Sequence, residues 1–276
     1  QGADPGLAPV KKKVVVVGGG PAGMEAARVA AERGHQVVLF EASDRLGGEV
    51  KLAMLPPMRE SFEEIIKFFE RQLPQLGVEV RLYTEATVEK VLAERADAVI
   101  VATGATPYVP DIPGAQGANV ITSNDVLTGA RTGQHVVIID TQGTPPGCVV
   151  AEVLADQGKR VEIVTGLNWV GSDIPGPVWH HLYERLLGKG VVMSPMTGVS
   201  QIGEDFVDVY HVVNTSVART IQSVDTVVMA AGGQANDGLY NSLAGRVDEL
   251  YVIGDSAQPR NIEMATYQAH KVAVEL

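Results

Sequence analysis

Six residues near the N-terminus, Gly18-Gly19-Gly20-Pro21-Ala22-Gly23, leave this chain few folds to choose from. The β-branched run Val14 to Val17 precedes them, and a helix-compatible stretch from Met24 to Arg33 follows. A short apolar run without polar alternation reads as a strand buried on both faces of a parallel sheet. Gly34 ends the helix and Val37 to Phe40 supplies a second strand, so the segment reads as one βαβ unit. The glycines match G-x-G-x-x-G. Gly18 permits the tight turn, and Gly20 removes a side chain that would block a pyrophosphate from the helix N-terminus. Gly23 lets helix and strand approach, with Pro21 and Ala22 between them in the cradle. Glu41, followed by Ala42, ends the second strand, where a carboxylate can accept both hydroxyls of an adenosine ribose and would repel a 2′-phosphate.

The same grammar returns after His135. Val136 to Ile139 reads as a strand, Val149 to Ala155 as a helix, Gly158 as its stop and Val161 to Val164 as another strand. Ala98 to Gly104 ends the first half much as Thr226 to Gly233 ends the second. The fold predicted is therefore α/β, with two Rossmann-like doubly wound dinucleotide-binding domains. One buried strand, Leu250 to Ile253, is left over, followed by Gly254-Asp255 and a helical tail from Ile262. Returning this tail to the first domain gives 13–108 with 236–276 as one discontinuous domain and 109–235 as an insertion. Residues 1–12 are Pro/Gly-rich and read as a linker, and the chain as the downstream part of a longer polypeptide. Ser61 to Leu73 is an amphipathic helix whose Phe62, Ile65, Ile66, Phe68 and Phe69 are expected to pack.

Composition narrows the function classes. The 276 residues are 45% hydrophobic and 20% charged, which fits neither a disordered chain nor a membrane protein. A formal charge of −11 argues against nucleic acid as a partner. The single cysteine, Cys148, excludes an internal disulfide, a Cys-x-x-Cys redox pair and a cluster held by this chain alone, and suits a reducing, cytoplasmic setting. Cys148 itself reads as a small buried hydrophobe. His180 and His181 are adjacent on a helix, about 100° apart, and cannot easily chelate one metal. Trp169 and Trp179 read as core or edge packing.

The second unit breaks its fingerprint. Counted from the strand end, Asp140, Gln142 and Pro145 fill the glycine positions, and Thr165 replaces the acid at the next strand end. An acidic side chain then sits where a pyrophosphate would approach backbone N–H groups, and Pro145 removes a donor, so ordinary NAD(P)H binding is not expected there.

The first unit does not by itself separate NAD from FAD, because both carry an ADP half. Asp44-Arg45-Leu46-Gly47-Gly48, the Ala102-Thr103-Gly104 strand end and Gly254-Asp255 resemble the flavoproteins with two dinucleotide-binding domains. Leu46 to Val50, Ala53 to Arg59 and Ile253 to Arg260 narrow the likeness to the trimethylamine dehydrogenase and 2,4-dienoyl-CoA reductase group. That resemblance covers nearly all of this chain but only the C-terminal part of the group's proteins. It implies FAD on Gly18, Gly20, Gly23 and Glu41, with Arg45 and Gly47-Gly48 along the pyrophosphate. Asp255 would hold the ribityl chain, the backbone of Val88 would meet the adenine, and Ala102-Thr103-Gly104 would close over the cofactor. It also implies an N-terminal part carrying FMN and an iron–sulfur cluster, absent from this sequence, and an electron-transfer flavoprotein as a partner. The leading expectation is thus an FAD-type redox module that transfers electrons. A non-catalytic ADP-binding domain and an NAD(P)H-dependent flavin reductase are the alternatives, and no acid–base residue is nominated for substrate chemistry.

Overall fold

In the computed structural model, which describes residues 6–276, the first strand is β1 (Lys13–Val17). The first five residues of the predicted linker lie outside the described residues, and the rest of it enters no helix or strand. From β1 the chain passes through α1 (Pro21–Glu32), β2 (Gln36–Phe40), the single-turn α2 (Val50–Ala53), α3 (Glu63–Gln75), β3 (Glu79–Arg81), α4 (Val88–Ala93), β4 (Ala98–Val101) and β5 (Ala105–Pro107). β6 (Val120–Thr122), α5 (Ser123–Leu127), β7 (His135–Asp140), α6 (Pro145–Asp156), β8 (Arg160–Val164), α7 (Gly176–Gly188) and β9 (Val192–Ser194) repeat the pattern. An antiparallel meander of β10 (Thr197–Ile202), β11 (Phe206–His211) and β12 (Ala218–Gln222) then leads to β13 (Thr226–Ala230). The last elements are β14 (Gly233–Ala235), α8 (Gly238–Leu243), β15 (Glu249–Val252) and α9 (Ile262–Glu275).

Two units result. The first holds the residues up to Thr106 together with Gly233–Leu276, and the second is Pro107–Gly232. Each contains a five-stranded parallel sheet, in the order β15-β4-β1-β2-β3 in the first and β6-β13-β7-β8-β9 in the second. Both are doubly wound and Rossmann-like. The boundary falls slightly away from the expected 108/109 and 235/236. β14 pairs with β5 in a two-stranded ribbon, and a Cβ at Gly233 would meet Ala105 and Pro259, so residues 233–235 belong to the first unit. Pro107 and Tyr108 belong to the second, where the Tyr108 N–H donates to the carbonyl of Gly232 at 3.0 Å.

The uninterrupted valines of β1 serve two cores. Val14 and Val16 pack with α1, α3 and α9, while Val15 and Val17 pack on the opposite face with Val91 of α4 and Leu243 of α8. In β7, Val136 and Ile138 face α6 and α7, and Val137 and Ile139 face the meander through Val207, Val209 and Ile221. α1 and α9 meet through small residues. Ala26, Ala27 and Ala30 are buried on one, and Ala265, Ala269 and Ala273, spaced four apart on one helix face, are buried on the other.

The amphipathic stretch before β3 starts as a single 3₁₀ turn, Glu60–Phe62, before α3. Ile66 and Phe69 are buried as expected and Leu73 joins them, but Phe68 faces solvent with 42% of its surface exposed. α6 begins at Pro145, four residues before the predicted start at Val149, because proline is favourable in a first helical turn.

Replacing the small seam tests this packing. Ala269→Leu should lower the stability of the first unit by about 1–3 kcal/mol through overpacking, read as a reduced urea midpoint at an unchanged denaturant slope.

Candidate functional site

The C-terminal ends of β1, β2, β4 and β15 gather most of the sequence-predicted residues at one edge of the first sheet. Backbone packing dictates two of the three fingerprint glycines. Gly18 has φ +106°, and a Cβ there would lie 2.2 Å from the carbonyl oxygen of Ala102. A Cβ at Gly23 would lie 1.8 Å from the carbonyl oxygen of Gly18, so α1 rests directly on the turn that precedes it. Gly20 differs. It caps α1 in extended geometry, and the nearest atom to a Cβ there would be the Cα of Gly48, at 3.9 Å. The fold does not require a glycine at position 20. The space a side chain would take is a cradle beside the N-terminus of a 12-residue helix, where unpaired N–H groups and the helix dipole favour an anion.

Glu41 stands beside this cradle. Its Oε2 accepts the Gly19 N–H at 2.7 Å, and its Oε1 accepts the N–H and hydroxyl of Ser43 at 2.7 and 2.6 Å. Lys51 fixes Ser43 in turn, its Nζ donating to the hydroxyl at 2.8 Å and to the carbonyl of Arg45 at 3.2 Å. A carboxylate offers about four acceptor positions. Two backbone N–H groups, of Gly19 and Ser43, take up two of these, and the Ser43 hydroxyl lies within hydrogen-bond distance of both Oε1 and the Arg45 carbonyl. The Gly47-Gly48 turn lies over the cradle: Gly47 N–H donates to Gly19 O at 2.8 Å, and a Cβ at Gly48 would lie 3.0 Å from the Cα of Gly20.

The neighbouring strand ends complete the edge. Ala102 N–H donates to Val17 O at 2.8 Å, and the Thr103 hydroxyl donates to Asn236 O at 2.6 Å. Gly104 takes a positive φ of +71°, and its carbonyl accepts the Asn236 N–H at 3.0 Å. Gly254 approaches α1 so closely that a Cβ would lie 2.7 Å from that of Ala22, and its N–H donates to Gln268 of α9 at 3.0 Å. Asp255 follows half-buried, its Oδ1 accepting the Arg260 N–H at 3.0 Å. Pro21 is the first residue of α1, and Ala42 lies exposed beyond Glu41.

Two predicted residues engage their side chains elsewhere. The Arg45 guanidinium pairs with Glu70 at 3.0 Å and Glu63 at 3.5 Å on α3, rather than lining the glycine turn. Arg45 and Asp44 border a separate cleft of about 410 Å³ with Leu73, Pro74 and Val80. Val88 begins α4 and packs its side chain on the core around Val91. Ser43, Lys51, Asn236 and Gln268 were not foreseen. They act on the site through hydrogen bonds formed only on folding, and no spacing in the sequence announces them.

In the second unit the equivalent edge is bonded to its own side chains. Asp140 is 1% exposed, and its Oδ1 accepts the N–H groups of Gln142 at 3.0 Å and Gly143 at 2.9 Å. Burial pushes its carboxyl above the ordinary aspartate pKa, against the pull of those two N–H groups. The loop is longer than in the first unit, and α6 has Thr144 as its N-cap and Pro145 as its first residue. Position for position along the helix, Gly147 and not Pro145 therefore matches Gly23. A Cβ on Gly147 would lie 3.3 Å from the Asp140 side chain. Thr165 is buried, its hydroxyl accepting the Leu167 N–H at 3.3 Å. A cleft of about 250 Å³ remains, with Asp140, Thr165, Tyr210 and apolar residues in its lining.

Cys148 is buried and its thiol is pushed up to about 12 by burial, followed by the nearby Asp140 and Glu152 charges. His180 and His181 are exposed on α7, and among the described residues no cluster of His, Cys, Asp or Glu is arranged to hold a metal. Trp179 is half-buried and donates to Val170 O at 2.8 Å, whereas Trp169 is 49% exposed and does not pack as expected. Among the described residues, no helix is long and apolar enough to cross a membrane.

A parallel sheet edge holding a glycine cradle, a strand-end carboxylate and a Gly-Asp turn defines a dinucleotide-binding domain of the flavoprotein oxidoreductase type. The chain belongs to the pyridine nucleotide-disulphide oxidoreductase family, matched over residues 12–271, and within it to the trimethylamine dehydrogenase and 2,4-dienoyl-CoA reductase group. It is 34% identical over 302 residues to the N,N-dimethylglycine/sarcosine dehydrogenase of Chromohalobacter salexigens, taking in 95% of this chain and 43% of that protein. With the cinnamate reductase of Clostridium sporogenes it shares 35% over 263 residues, 95% of this chain and 39% of that one. The structure of histamine dehydrogenase from Rhizobium sp. 4-9 is similar at a TM-score of 0.90 and 29% identity, covering 98% of this chain and 44% of the other. A T. acidophilum thioredoxin reductase, at a TM-score of 0.69 and 18% identity, shares the fold alone. The chain spans less than half the length of the relatives it matches in sequence.

Two predictions follow from the geometry. In protein stripped of ligand, Gly20→Ala should leave stability within about 0.5 kcal/mol of the parent, whereas Gly18→Ala and Gly23→Ala should fail to give a folded first unit, as circular dichroism melts will report. The second concerns pH. The folded Asp140 carboxyl has a pKa above its unfolded value, so it binds its proton more tightly when folded. Its contribution favours the folded state at low pH and is lost as pH rises through the raised pKa. The stability advantage of Asp140→Asn over the parent should therefore grow as pH rises from about 4 to 7. Both tryptophans, Trp169 and Trp179, lie in the second unit, so their emission during urea unfolding reads it.

Proposed function

We propose that this chain is the FAD-type redox module of an iron–sulfur flavoprotein dehydrogenase or reductase of the trimethylamine dehydrogenase type, and that it transfers electrons rather than transforming substrate. Gly20 carries the reading: a glycine that packing does not require, at a helix N-terminus, beside a carboxylate at the next strand end. The pyrophosphate would meet the N–H groups around Gly20 and Gly48, Glu41 would take a ribose hydroxyl, and Asp255 would take the ribityl chain. FAD, when bound, supplies one- and two-electron redox chemistry. The chain orients the cofactor through backbone donors, and α9 presents its N-terminus just past Asp255 and Arg260.

The proposed partners are an N-terminal portion bearing FMN and an iron–sulfur cluster, and an electron-transfer flavoprotein, in a cytoplasmic setting. The length of the relatives supports the first, since more than half of each lies outside the match. Disulfide chemistry, despite the family's description, finds no support in one buried cysteine with a raised thiol pKa.

The visible spectrum of the purified chain, with mass spectrometry of what it releases on denaturation, tests the reading. A flavin band and released FAD are expected, and Gly20→Val should lose both while the stripped variant still folds. ADP released without a flavin band would overturn the redox assignment and leave a nucleotide-stabilised domain. Full FAD content in Gly20→Val would overturn the site.

A further inference from the structure

Gly254 and Asp255 leave the first sheet at an edge strand. β15 is the edge strand beside β4, so every second N–H along it faces away from the ladder. The Ile253 N–H closes the ladder on the Val101 carbonyl at 3.0 Å, and the next N–H, that of Gly254, turns the other way. It donates at 3.0 Å to Oε1 of Gln268, in the middle of α9. Because a backbone N–H faces it, the side-chain amide must present its oxygen there.

The rest of this turn is closed on itself. The Gly254 carbonyl accepts the N–H groups of Ala257 and Gln258 at 3.0 Å, and Asp255 Oδ1 accepts that of Arg260 at 3.0 Å. Those bonds hold the shape of residues 254–260 but not their aim. Two side chains tie the turn to its surroundings. On the sheet side the buried Ser256 hydroxyl lies 2.7 Å from the Ile253 carbonyl and 3.2 Å from that of Val101. On the helix side the tie is Gln268, which reaches the turn from a helix seated on α1 through Ala265, Ala269 and Ala273. Gly254 has no side chain to pack: it stands at φ +64°, and a Cβ would lie 2.7 Å from that of Ala22 in the first turn of α1. The bond to Gln268 therefore sets the rotation of the peptide from which Asp255 departs.

We propose that Gln268 is the positioning residue of the Gly254-Asp255 turn: through the Gly254 N–H it aims the Asp255 carboxylate, and so governs the grip on the ribityl and flavin half of the cofactor. The inference rests on the FAD reading above. The ADP half has a different set of holders, since the bonds around Gly20, Gly48 and Glu41 run to Gly19, Ser43 and Gly47 and do not pass through Gln268. Gln268 thus separates FAD from ADP: its bond matters to the first and not to the second.

The test compares FAD and ADP on the full chain stripped of cofactor, by quenching of flavin fluorescence and by titration calorimetry. Gln268→Met keeps the length and the helix propensity but offers only a weak acceptor. It should lose about five- to tenfold in FAD affinity, the scale of one hydrogen bond, with ADP affinity within about twofold of the parent. Gln268→Glu, which keeps the acceptor, should bind FAD more tightly than Gln268→Met. Gln268→Asn, one methylene shorter, should behave as the methionine variant does and serves where that variant does not fold. In an Asp255→Ala background Gln268→Met should cost nothing further, because the two residues act in series. Equal losses for ADP and FAD, the mark of a merely structural role, would overturn the proposal. So would unchanged FAD affinity in a folded Gln268→Met or Gln268→Asn, or a full additional loss in the Asp255→Ala background. A parent chain that binds FAD no more tightly than ADP fails the redox reading, and the proposal with it, a result visible before any variant is made.

Discussion

A Cβ on Gly23 would sit 1.8 Å from the carbonyl oxygen of Gly18, and the candidate site depends on that approach. It brings the first turn of α1 onto the end of β1 with no side chain between them. The helix axis, and with it the direction of its unpaired N–H groups, is then set by backbone contact rather than by adjustable side chains. The close approach of Gly254 to Ala22 and of Gly18 to the carbonyl of Ala102 fixes β15 and β4 against the same corner. The small-residue seam between α1 and α9 repeats the rule on the outer face, where bulk on either helix would move both ends of the site.

The cradle is built from backbone donors and not from basic side chains. The basic side chains nearest the cradle are committed elsewhere: Arg45 to Glu63 and Glu70, and Lys51 to Ser43 and the carbonyl of Arg45. A net charge of −11 over the whole chain does not weaken such donors, because backbone N–H groups and a helix dipole act over a few ångströms, well inside the screening length of about 8 Å. Glu41 adds to the local negative charge, and in the structure its carboxylate is met by the Gly19 N–H and by Ser43.

Most of the scaffold was legible in the sequence because its determinants are local. Valine runs read as buried parallel strands, and glycines just past Glu32 and Gln157 mark helix ends. The break of the second fingerprint at Asp140 was equally visible. The meander was missed because β10 to β12 are partly exposed and lack the uninterrupted apolar runs that mark the buried parallel strands. The matching of Pro145 to the third glycine failed for a related reason. Counting from a strand end assumes equal loops, and two extra residues before the Thr144 cap move Gly147 into the place of Gly23. The ion pairs of Arg45 were not foreseen because sequence adjacency to Gly47 says nothing about where a long, flexible side chain ends, and two glutamates of α3 lie within its reach.

The second unit shows how little of a nucleotide site the fold itself needs. Its sheet order and helix placement survive, and Gly147 brings α6 near β7 and Ala230 of β13, though without the direct backbone contact of Gly23. What has changed is confined to the one layer that packing leaves free, the turn and the first helical residues. Packing holds Gly18 and Gly23 in the first unit but makes no demand on Gly20, and at the same layer the second unit carries a threonine cap, two prolines and an acid. The contrast between Gly20 and Thr144, two caps on similar helices in one chain, thus separates what a Rossmann-like unit must keep to fold from what it must keep to bind.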